Sequence, residues 1–386
     1  MTKPTGDQAL IKRINTAIVL ECILRGAPLS RAQISEQSGL NKATVSSLVQ
    51  DLIDGSLVRE TGIGQSSGGR KPVMLEFVAD CGFAIGIDLG VNYIRGALTD
   101  LRGKIVIERT SNLTELEPTA AVEKLSDFIG EFVSEAPTSP YGIVGIGVGV
   151  PGIVDESGSI LFAPNLKWRD IPLQRMLSER FGLPVLIDNE ANAGALGEQK
   201  YGAGRNVNNL VYVSVNIGIG TGLILHKSLY KGTSGFSGEM GHLSIEAHGK
   251  ECTCGNRGCW EMYASERALL EAAAPLGFHT LEQLLKAAVN GRRDVIELFA
   301  NTGEYLGVGI ANIVNVFNPD AVIIGSRMSQ ARLWLEGAAR QAVVQRALGF
   351  HLRKVQLLFA ELGERSSMMG AAEMAISGFF DRVKAT

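Results

Sequence analysis

The sequence predicts an α/β protein made of a small N-terminal domain followed by two larger α/β lobes. Three observations support this fold class: a helix-turn-helix pattern near the start, β-branched runs separated by glycine turns after Asp80, and a second set of strands that begins near Asn209 and leads into long helices. With 386 residues, the chain is longer than one ordinary domain. We therefore expect a first domain at 1–78 and a second at 82–386, whose lobes cover about 82–197 with the C-terminal helix and about 198–365.

Composition and charge are those of a globular protein that is not coated by nucleic acid. Hydrophobic residues make up 45% of the chain and charged residues 20%, and the net charge is −3. Residues 1–72 carry nine Lys and Arg against six Asp and Glu, so the N-terminal end is the part expected to bind a polyanion. The apolar runs are too short and too broken by glycine and proline to span a membrane, and the first residues lack a signal-peptide core. The sequence therefore predicts a cytoplasmic protein with reduced cysteines.

The beginning of the chain has the pattern of three short helices. Apolar residues from Ile11 to about Leu24 recur at helical spacing, which predicts an amphipathic first helix with Ile14 on its apolar face. Ser30 and Gln33 form a capping-box pattern for a second helix. A tight turn then leads to a third helix, so this segment has the layout of a helix-turn-helix.

The third helix, capped by Asn41, has an apolar face and a polar face. Its hydroxyl and amide groups suit base edges in a major groove, and its lysine suits a phosphate. Two β-like runs follow around a Gly/Ser-rich tip, the layout of a winged helix, and an arginine on that tip could enter a minor groove. A module that binds protein instead of DNA is the alternative. We expect the DNA-contacting residues to be Lys42, Thr44, Ser46, Ser47, Gln50, Arg70 and Lys71.

The most specific chemical signal in the chain is the stretch GEMGHLSIEAHGKECTCGNRGCWE. Three cysteines close together beside a histidine, in a chain with nothing else to suggest disulfides, predict tetrahedral zinc. The carboxylates of Glu239 and Glu261 lie next to this loop and could hold a polar ligand. Buried, unreactive thiols beside a chance histidine are the alternative. We expect a structural Zn²⁺, rather than a metal signal, held by His242, Cys252, Cys254 and Cys259.

The rest of the large domain alternates between strands and helices. The run FAIGIDLGVNYIRGALTDLRGKIVIERT predicts an antiparallel meander, and a helix is expected from about Pro118 to Val133. The strands GIVGIGVGV and PVLIDNE follow, and NLVYVSVNIGIGTGLILH begins the second set. Glycines cluster at strand ends, where ligands approach the backbone, so a cleft is expected between two α/β lobes.

These motifs carry a family resemblance. DLG after the first strand, GVGVPGIVD, PNLKW, DNEANAGALGE, NIGIGTG, GEMGH and the CxCGxxGCxE loop resemble the ROK family of sugar kinases and repressors over essentially the whole chain. The appended winged helix with its SSGGRKP tip is similar to the repressor branch. The resemblance implies a winged helix-turn-helix followed by a two-lobed, actin-like or ribonuclease H-like sugar-kinase fold.

The resemblance also implies a function and a site. It implies a transcriptional repressor that binds a palindromic operator as a homodimer, with a tetramer as the alternative, and is released by a sugar in the cleft. D-xylose is the favoured inducer, with glucose or an amino sugar as alternatives. Carboxylates and amides would bind adjacent hydroxyls, while His242 would ligate zinc and transmit geometry to the sugar. The implied sugar-binding residues are Asn165, Asn189, Glu190, Glu239, His242 and Glu261.

The sequence departs from the kinases of the resembled family. Those carry DxGGT in the first turn and aspartate in the NDAN box, whereas this chain has DLGVN and Glu190. Val91 places a branched side chain where backbone should approach phosphate, and Asn92 replaces the threonine. One extra methylene displaces the base by about an ångström, which can cost on the order of a hundredfold in rate. We therefore expect no enzyme activity, with an active sugar kinase as the alternative.

Overall fold

The computed structural model describes residues 8–26, 28–63 and 72–385 of the chain. The two wing cations predicted to contact DNA, Arg70 and Lys71, lie outside the described residues. Within the described ranges, no helix combines the length and the apolar character that crossing a membrane would require.

The N-terminal domain, called the head below, contains three helices and a three-stranded antiparallel sheet. The predicted capping box is confirmed, because Ser30 Oγ accepts from the Gln33 N–H at 3.3 Å and Gln33 Oε1 accepts from the Ser30 N–H at 2.9 Å. The predicted Asn41 cap accepts from the Thr44 N–H at 2.8 Å. The elements are α1 (Gln8–Arg25), β1 (Leu29–Ser30), α2 (Arg31–Ser38), α3 (Lys42–Asp54), β2 (Val58–Ile63) and β3 (Val73–Phe77), in the sheet order β1-β3-β2.

The first helix differs from the one that its periodicity predicts. Ile11 and Ile14, expected on the apolar face, are 51% and 52% exposed, whereas Val19, Leu20 and Ile23 are buried. The N-terminal half of α1 extends beyond the core of the head, so only its second half provides buried side chains. Helical spacing identified the helix correctly but not the part of it that is covered.

Lobe 1 is built on a five-stranded mixed sheet. Its first three strands form the predicted antiparallel meander, and two further strands add in parallel beside the first. A small antiparallel sheet, the flap, branches off after the fourth strand. The elements are β4 (Phe83–Leu89), β5 (Tyr93–Asp100), β6 (Ile105–Asn112), α4 (Pro118–Glu135), β7 (Ile143–Val150), the flap strands β8 (Ile153–Val154), β9 (Ile160–Ala163) and β10 (Trp168–Ile171), α5 (Leu173–Phe181), β11 (Val185–Asn189) and α6 (Glu190–Tyr201), with the sheet order β11-β7-β4-β5-β6.

Lobe 2 repeats the same strand order in a second sheet, packed against long helices. Its elements are β12 (Leu210–Val215), β13 (Ile219–Leu225), β14 (Ser228–Leu229), α7 (Glu261–Ala264), α8 (Glu266–Ala273), α9 (Leu281–Val289), α10 (Arg293–Phe317), β15 (Ala321–Gly325), α11 (Arg332–Arg346) and β16 (Gln356–Phe359), with the sheet order β14-β13-β12-β15-β16. As in lobe 1, three antiparallel strands are followed by two parallel additions. The motifs in the sequence do not indicate this repetition of the strand order.

The chain ends in helix α12 (Ser366–Ala385), which returns to lobe 1 and also reaches the head. It packs on α6, β4 and β7 and, near its end, against α1. Phe379 and Phe380 share one buried cluster with head residues such as Phe77, whose ring centroid lies 5.7 Å from that of Phe380. The Tyr141 hydroxyl of lobe 1 donates to the Gly55 carbonyl at 2.6 Å. The head is therefore packed directly on lobe 1 and α12.

The packing of α12 depends on a glycine with no room for a side chain. A Cβ at Gly370 would overlap the carbonyl oxygen of Ala193 in α6, which is backbone and cannot move aside easily. We expect Gly370→Ala to lower the free energy of unfolding by about 1–3 kcal/mol or more through overpacking. The matched control is Gly337→Ala in α11, where a Cβ meets nothing within 4 Å, so a gain of about 0.5–1 kcal/mol is expected. Urea unfolding checks both, and equal effects of the two changes would contradict this account of the packing.

Candidate functional site

The two sheets meet at a cleft formed by the carboxyl ends of their parallel strands. In lobe 1, β4 ends beside Asp88 and β11 ends at Asn189, while in lobe 2 β12 leads to Asn216 and β15 to Ser326. Parallel strands place these ends along one edge of each sheet, which is where ligands bind in open α/β folds. The cleft has a volume of about 320 Å³. Its lining includes all six residues predicted to bind sugar: Asn165, Asn189, Glu190, Glu239, His242 and Glu261.

The predicted metal ligands come together at one end of this cleft. One ligand atom from each of His242, Cys252, Cys254 and Cys259 lies within 4.8 Å of the others. Cys252 Sγ is 3.6 Å from His242 Nδ1, and Cys254 Sγ is 3.7 Å from Cys259 Sγ. Three thiols and one imidazole at these separations are a donor set that suits a tetrahedral metal ion. The prediction of a metal-binding cluster is confirmed at the level of these four side chains.

The loop that carries this cluster is held by turns and hydrogen bonds. The segment 243–258 contains no helix or strand, but the Gly258 N–H donates to the Lys250 carbonyl at 2.8 Å and the Lys250 N–H donates to the Tyr263 hydroxyl at 2.8 Å. Gly258 has φ +72°, and a Cβ there would overlap the carbonyl oxygen of Glu246. A metal held by the four prospective ligands would add a cross-link to this network.

Two carboxylates connect the metal cluster with the cleft. Glu261 is buried, with Oε1 3.2 Å from Cys252 Sγ and 3.8 Å from His242 Nδ1. Glu239 Oε2 lies 4.0 Å from His242 Nε2. Because Nδ1 faces the thiols, Nε2 is the imidazole nitrogen that faces Glu239 and the cleft. The histidine thus stands between a metal position and a carboxylate that can reach a ligand.

Glu190 lies in the cleft at the start of α6. Burial and, to a smaller extent, the neighbouring carboxylates of Asp88 and Glu239 together raise the pKa of Glu190 to about 8. At neutral pH the carboxyl is therefore mostly protonated while the cleft has no ligand. In this state it can donate a hydrogen bond but is a poor proton acceptor.

The turn after β4 is filled by a tyrosine. The Tyr93 hydroxyl donates to Asp88 Oδ2 at 2.9 Å, and a Cβ at Gly90 would overlap the tyrosine ring. The Arg95 guanidinium lies 5.2 Å from the centre of that ring. Burial raises the pKa of Asp88, and the Tyr93 hydrogen bond offsets part of this change. The first glycine turn is therefore occupied by the protein's own side chain.

Several cleft residues were missed in the sequence. Glu266 is buried, and its Oε1 is 3.5 Å from Arg327 Nη1, while Arg267 Nη2 is 3.5 Å from Glu261 Oε1. Arg327 could have been found, since it follows the buried parallel strand β15 directly. The missed lining residues include Asp88, Tyr93, Asn216, Glu266, Arg267 and Arg327. The cleft is acidic, and both of its arginines face carboxylates of the protein.

The two predicted amides differ in how much of their bonding capacity is used. Asn189 Oδ1 caps α6 by accepting from the Ala191 N–H at 2.8 Å, and its Nδ2 donates to the Gly152 carbonyl at 2.9 Å. Asn165 is exposed on the turn between β9 and β10. Asn165 is therefore free to turn towards a ligand, whereas Asn189 can offer a ligand only its second amide hydrogen.

The head presents the predicted polar face of α3. Lys42, Ser46, Ser47 and Gln50 are exposed and Thr44 is partly buried, whereas Val45, Leu48, Val49 and Leu52 are buried on the other side. Gln50 Nε2 donates to Asp54 Oδ1 at 2.8 Å on the helix surface. A polar recognition helix is thus open to the surroundings.

The head and the body together define a helix-turn-helix protein with a two-lobed, sugar-kinase-like domain. Residues 15–62 match the IclR helix-turn-helix domain, and residues 84–377 match the ROK family. The chain therefore belongs to the ROK family.

Relatives and solved structures agree with this assignment. The chain is 44% identical to the xylose repressor of Bacillus spizizenii over 98% of its own length and 99% of that protein, and 30% identical to the transcriptional dual regulator NagC of Escherichia coli over 94% and 92%. A ROK family transcriptional regulator described as a homologue of the Escherichia coli MLC protein superposes with a TM-score of 0.83, at 28% identity over 97% and 99% of the two chains. A ROK family glucokinase from Streptomyces griseus, solved with glucose and AMPPNP, superposes with a TM-score of 0.70, at 30% identity over 77% and 100%.

Proposed function

We propose that this protein is a sugar-responsive transcriptional repressor whose effector is a monosaccharide bound in the cleft, with D-xylose as the first candidate. The observation that carries the proposal is the joining of an open recognition helix to a cleft lined by acidic and amide side chains beside a metal cluster. The similarity to a xylose repressor over nearly the full length of both chains supports the choice of sugar.

The head would bind an operator through α3. Lys42 would meet phosphate, and Thr44, Ser46, Ser47 and Gln50 would reach base edges in the major groove. A homodimer places two such helices about one helical turn of DNA apart, which fits a palindromic operator. Arg70 and Lys71 on the wing belong to the same proposal, as do the domain limits 1–78 and 82–386.

The cleft would bind the sugar through its carboxyl and amide groups. Glu239, Glu261 and Asn165 offer acceptors and donors to neighbouring hydroxyls, and the protonated Glu190 adds a donor. His242 Nε2 would contact the ligand while Nδ1 holds the metal. The acidic lining suits a neutral polyhydroxylated ligand better than an anion.

The metal is proposed to be a structural Zn²⁺. Three cysteines and a histidine complete a tetrahedral set, so no position is left for a substrate or a water molecule. Zinc that fixes the loop 243–258 also fixes Glu239 and Glu261 at its two ends. A metal-sensing function would instead require that metal loss changes DNA binding while the fold remains intact.

The head is packed on lobe 1, so a sugar cannot release DNA simply by loosening a flexible head. Closure of lobe 2 towards lobe 1 would change the spacing of the two heads if the copies of the dimer contact each other through lobe 2. By linkage, a sugar that weakens operator binding must itself bind more weakly to the operator complex. A coupling of about 3 kcal/mol corresponds to roughly a hundredfold change in affinity.

Calorimetric titration of the metal-loaded protein with D-xylose, D-glucose and N-acetyl-D-glucosamine tests the proposed ligand. We expect D-xylose to bind with the highest affinity at one site per chain. If another sugar binds more tightly, that sugar takes the place of D-xylose as the proposed effector and the proposed repressor function stands. If none of the monosaccharides binds, the proposed response to sugar is rejected.

A sugar kinase is the second candidate, because the glucokinase superposes on the body and the glycine run around Gly218 lines the cleft. Two observations argue against kinase activity. Tyr93 fills the first glycine turn, and Glu190, whose pKa is about 8, is mostly protonated at neutral pH.

We therefore expect no sugar-dependent release of ADP from ATP by the wild-type protein. The double change Val91→Gly and Glu190→Asp restores the family pattern at two positions, yet we expect it to remain inactive because Tyr93 still fills the turn. A coupled ADP assay, with a ROK glucokinase as the positive control, measures both proteins. Sugar-dependent turnover by the wild type would show that the protein is an enzyme.

A further inference from the structure

The chain passes between the two lobes at two places. The first crossing, residues 202–209, connects α6 with β12, and the second, residues 360–365, connects β16 with α12. Any change in the angle between the lobes must be accommodated at these two segments.

One buried carboxylate holds both crossings. Glu198, in the last turns of α6, is 0% exposed. Its Oε2 accepts from the Ala203 N–H at 2.9 Å in the first crossing and from the Glu361 N–H at 3.2 Å in the second. Its Oε1 accepts from the Leu362 N–H at 3.0 Å and from the Ser366 hydroxyl at 2.7 Å, at the start of α12. We call this group of hydrogen bonds the hinge clasp.

The hinge clasp is not an ordinary ion pair. Among the described residues, no lysine, arginine or histidine pairs with Glu198, so the carboxylate is stabilised by donors alone. Buried carboxylates are costly unless hydrogen bonds satisfy their lone pairs, and hydrogen bonds to an ion are the strong ones. An apolar side chain could fill the same space but could not join two separate segments of backbone.

Helix α12 connects the hinge clasp with the head. It begins at Ser366, one of the clasp donors, and lies so close to lobe 1 that a Cβ at Gly147 would overlap the carbonyl oxygen of Ala371. Near its other end, Phe379 packs on Tyr141 with ring centroids 5.0 Å apart, beside the head. Lobe 1, α12 and the head are thus packed together, and lobe 2 is joined to them through the clasped crossings and through the packing of α6 on β12 and β13.

We propose that Glu198 is a positioning residue that makes the two crossings move together, so that sugar binding between the lobes changes operator affinity. Without the clasp, only the exposed ion pair of Arg205 with Glu361, 2.8 Å long, would link the two crossings directly. Exposed ion pairs contribute little, so each crossing could then adjust largely on its own and closure on a sugar would be absorbed locally. This inference rests on the proposed function, because it assigns the coupling between the sugar and the operator to one side chain. It needs no contact between Glu198 and either ligand.

The test is Glu198→Gln in the full-length, metal-loaded protein. The amide replaces one oxygen by an NH₂ group that cannot accept from a backbone N–H, so at least one donor loses its partner in either orientation. We expect D-xylose affinity and operator affinity, each measured alone, to stay within about threefold of wild type. The ratio of operator Kd values with and without saturating D-xylose should fall at least about tenfold towards one. An unchanged ratio would overturn the proposal.

Two further variants separate coupling from general destabilisation. Leu335→Ala removes a buried side chain of the lobe 2 core that is not part of the crossings or the clasp. It should lower the unfolding midpoint while leaving the Kd ratio at the wild-type value. Ser366→Ala removes one clasp donor and keeps the carboxylate, so it should lower the ratio by a smaller factor than Glu198→Gln. Ser366→Ala also serves as the test of the clasp if Glu198→Gln does not fold. If Leu335→Ala loses as much coupling as Glu198→Gln, the effect is due to lower stability and the proposal is wrong.

Hydrogen exchange of the ligand-free protein tests the hinge clasp independently of function. The amides of Ala203, Glu361 and Leu362 should exchange faster in Glu198→Gln than in wild type, while amides in the core of lobe 2 stay protected. Equal exchange in the two proteins would reject the clasp itself. If the amides exchange faster in Glu198→Gln while the wild type responds to no sugar, the proposed function and the coupling inference both fail. In that case the clasp stands only as a structural feature.

Discussion

Replacing Cys252 with alanine will abolish metal binding and, with it, most of the affinity for sugar. Structural zinc sites contribute apparent binding free energies of about 10–16 kcal/mol in zinc-finger peptides, and loss of one thiolate removes much of this stabilisation. The loop 243–258 contains no helix or strand, so without the metal it keeps only its hydrogen bonds and its ends are fixed less firmly. Because Glu239 and Glu261 lie at those ends, we expect D-xylose affinity to fall at least about a hundredfold.

Metal content by mass spectrometry and sugar affinity by calorimetry are measured on the same preparations. The matched control is Cys22→Ala in α1, a cysteine outside the cluster, which should change neither quantity. Operator affinity should survive in Cys252→Ala, since the head has its buried cluster with lobe 1 and α12 and not with the metal loop. Metal-free protein with normal sugar affinity would contradict a structural metal, and metal removal that releases operator without unfolding would support metal sensing.

Replacing Glu239 with glutamine will produce a protein that binds its operator normally and responds only to higher concentrations of sugar. The carboxylate lies at the cleft, 4.0 Å from His242 Nε2, and is proposed to accept hydrogen bonds from sugar hydroxyls. Hydrogen bonds to a charged group are worth about 1.5–3 kcal/mol, so sugar affinity should fall by roughly 10- to 150-fold. The side chain is far from α3, so operator affinity should be unchanged.

Glu251→Gln is the control for this change. It makes the same chemical replacement on the metal loop, at an exposed residue that is paired with Arg257 and does not line the cleft. Sugar affinity and the sugar response should both be those of wild type. If Glu239→Gln keeps wild-type sugar affinity, the proposed role of Glu239 is wrong.

The parts of the site that could be predicted from the sequence are those fixed by short-range geometry. The four metal ligands lie within a single loop, and the caps of α2 and α3 depend on residues three positions apart, so spacing alone places them. The six proposed sugar residues line one cleft because each motif follows a strand or enters the metal loop.

The parts that could not be predicted depend on contacts between distant segments. The position of Tyr93 over the glycine turn is set by how β4 pairs with β5, and Arg327 reaches the cleft only because β15 adds beside β12. Three of the four donors to Glu198 come from residues more than 160 positions later in the chain. In α1, periodicity could not show that the buried side chains begin only after Ile14. Burial there depends on where α2, α3 and α12 lie.

The most direct test of the central claim is the affinity of the full-length protein for its own upstream DNA at fixed salt, with and without D-xylose. We predict sequence-specific binding that D-xylose weakens at least about tenfold in wild type, and a Glu239→Gln protein that needs roughly 10- to 150-fold more D-xylose for the same effect. Specific binding that no sugar changes, or the absence of specific binding altogether, would contradict it.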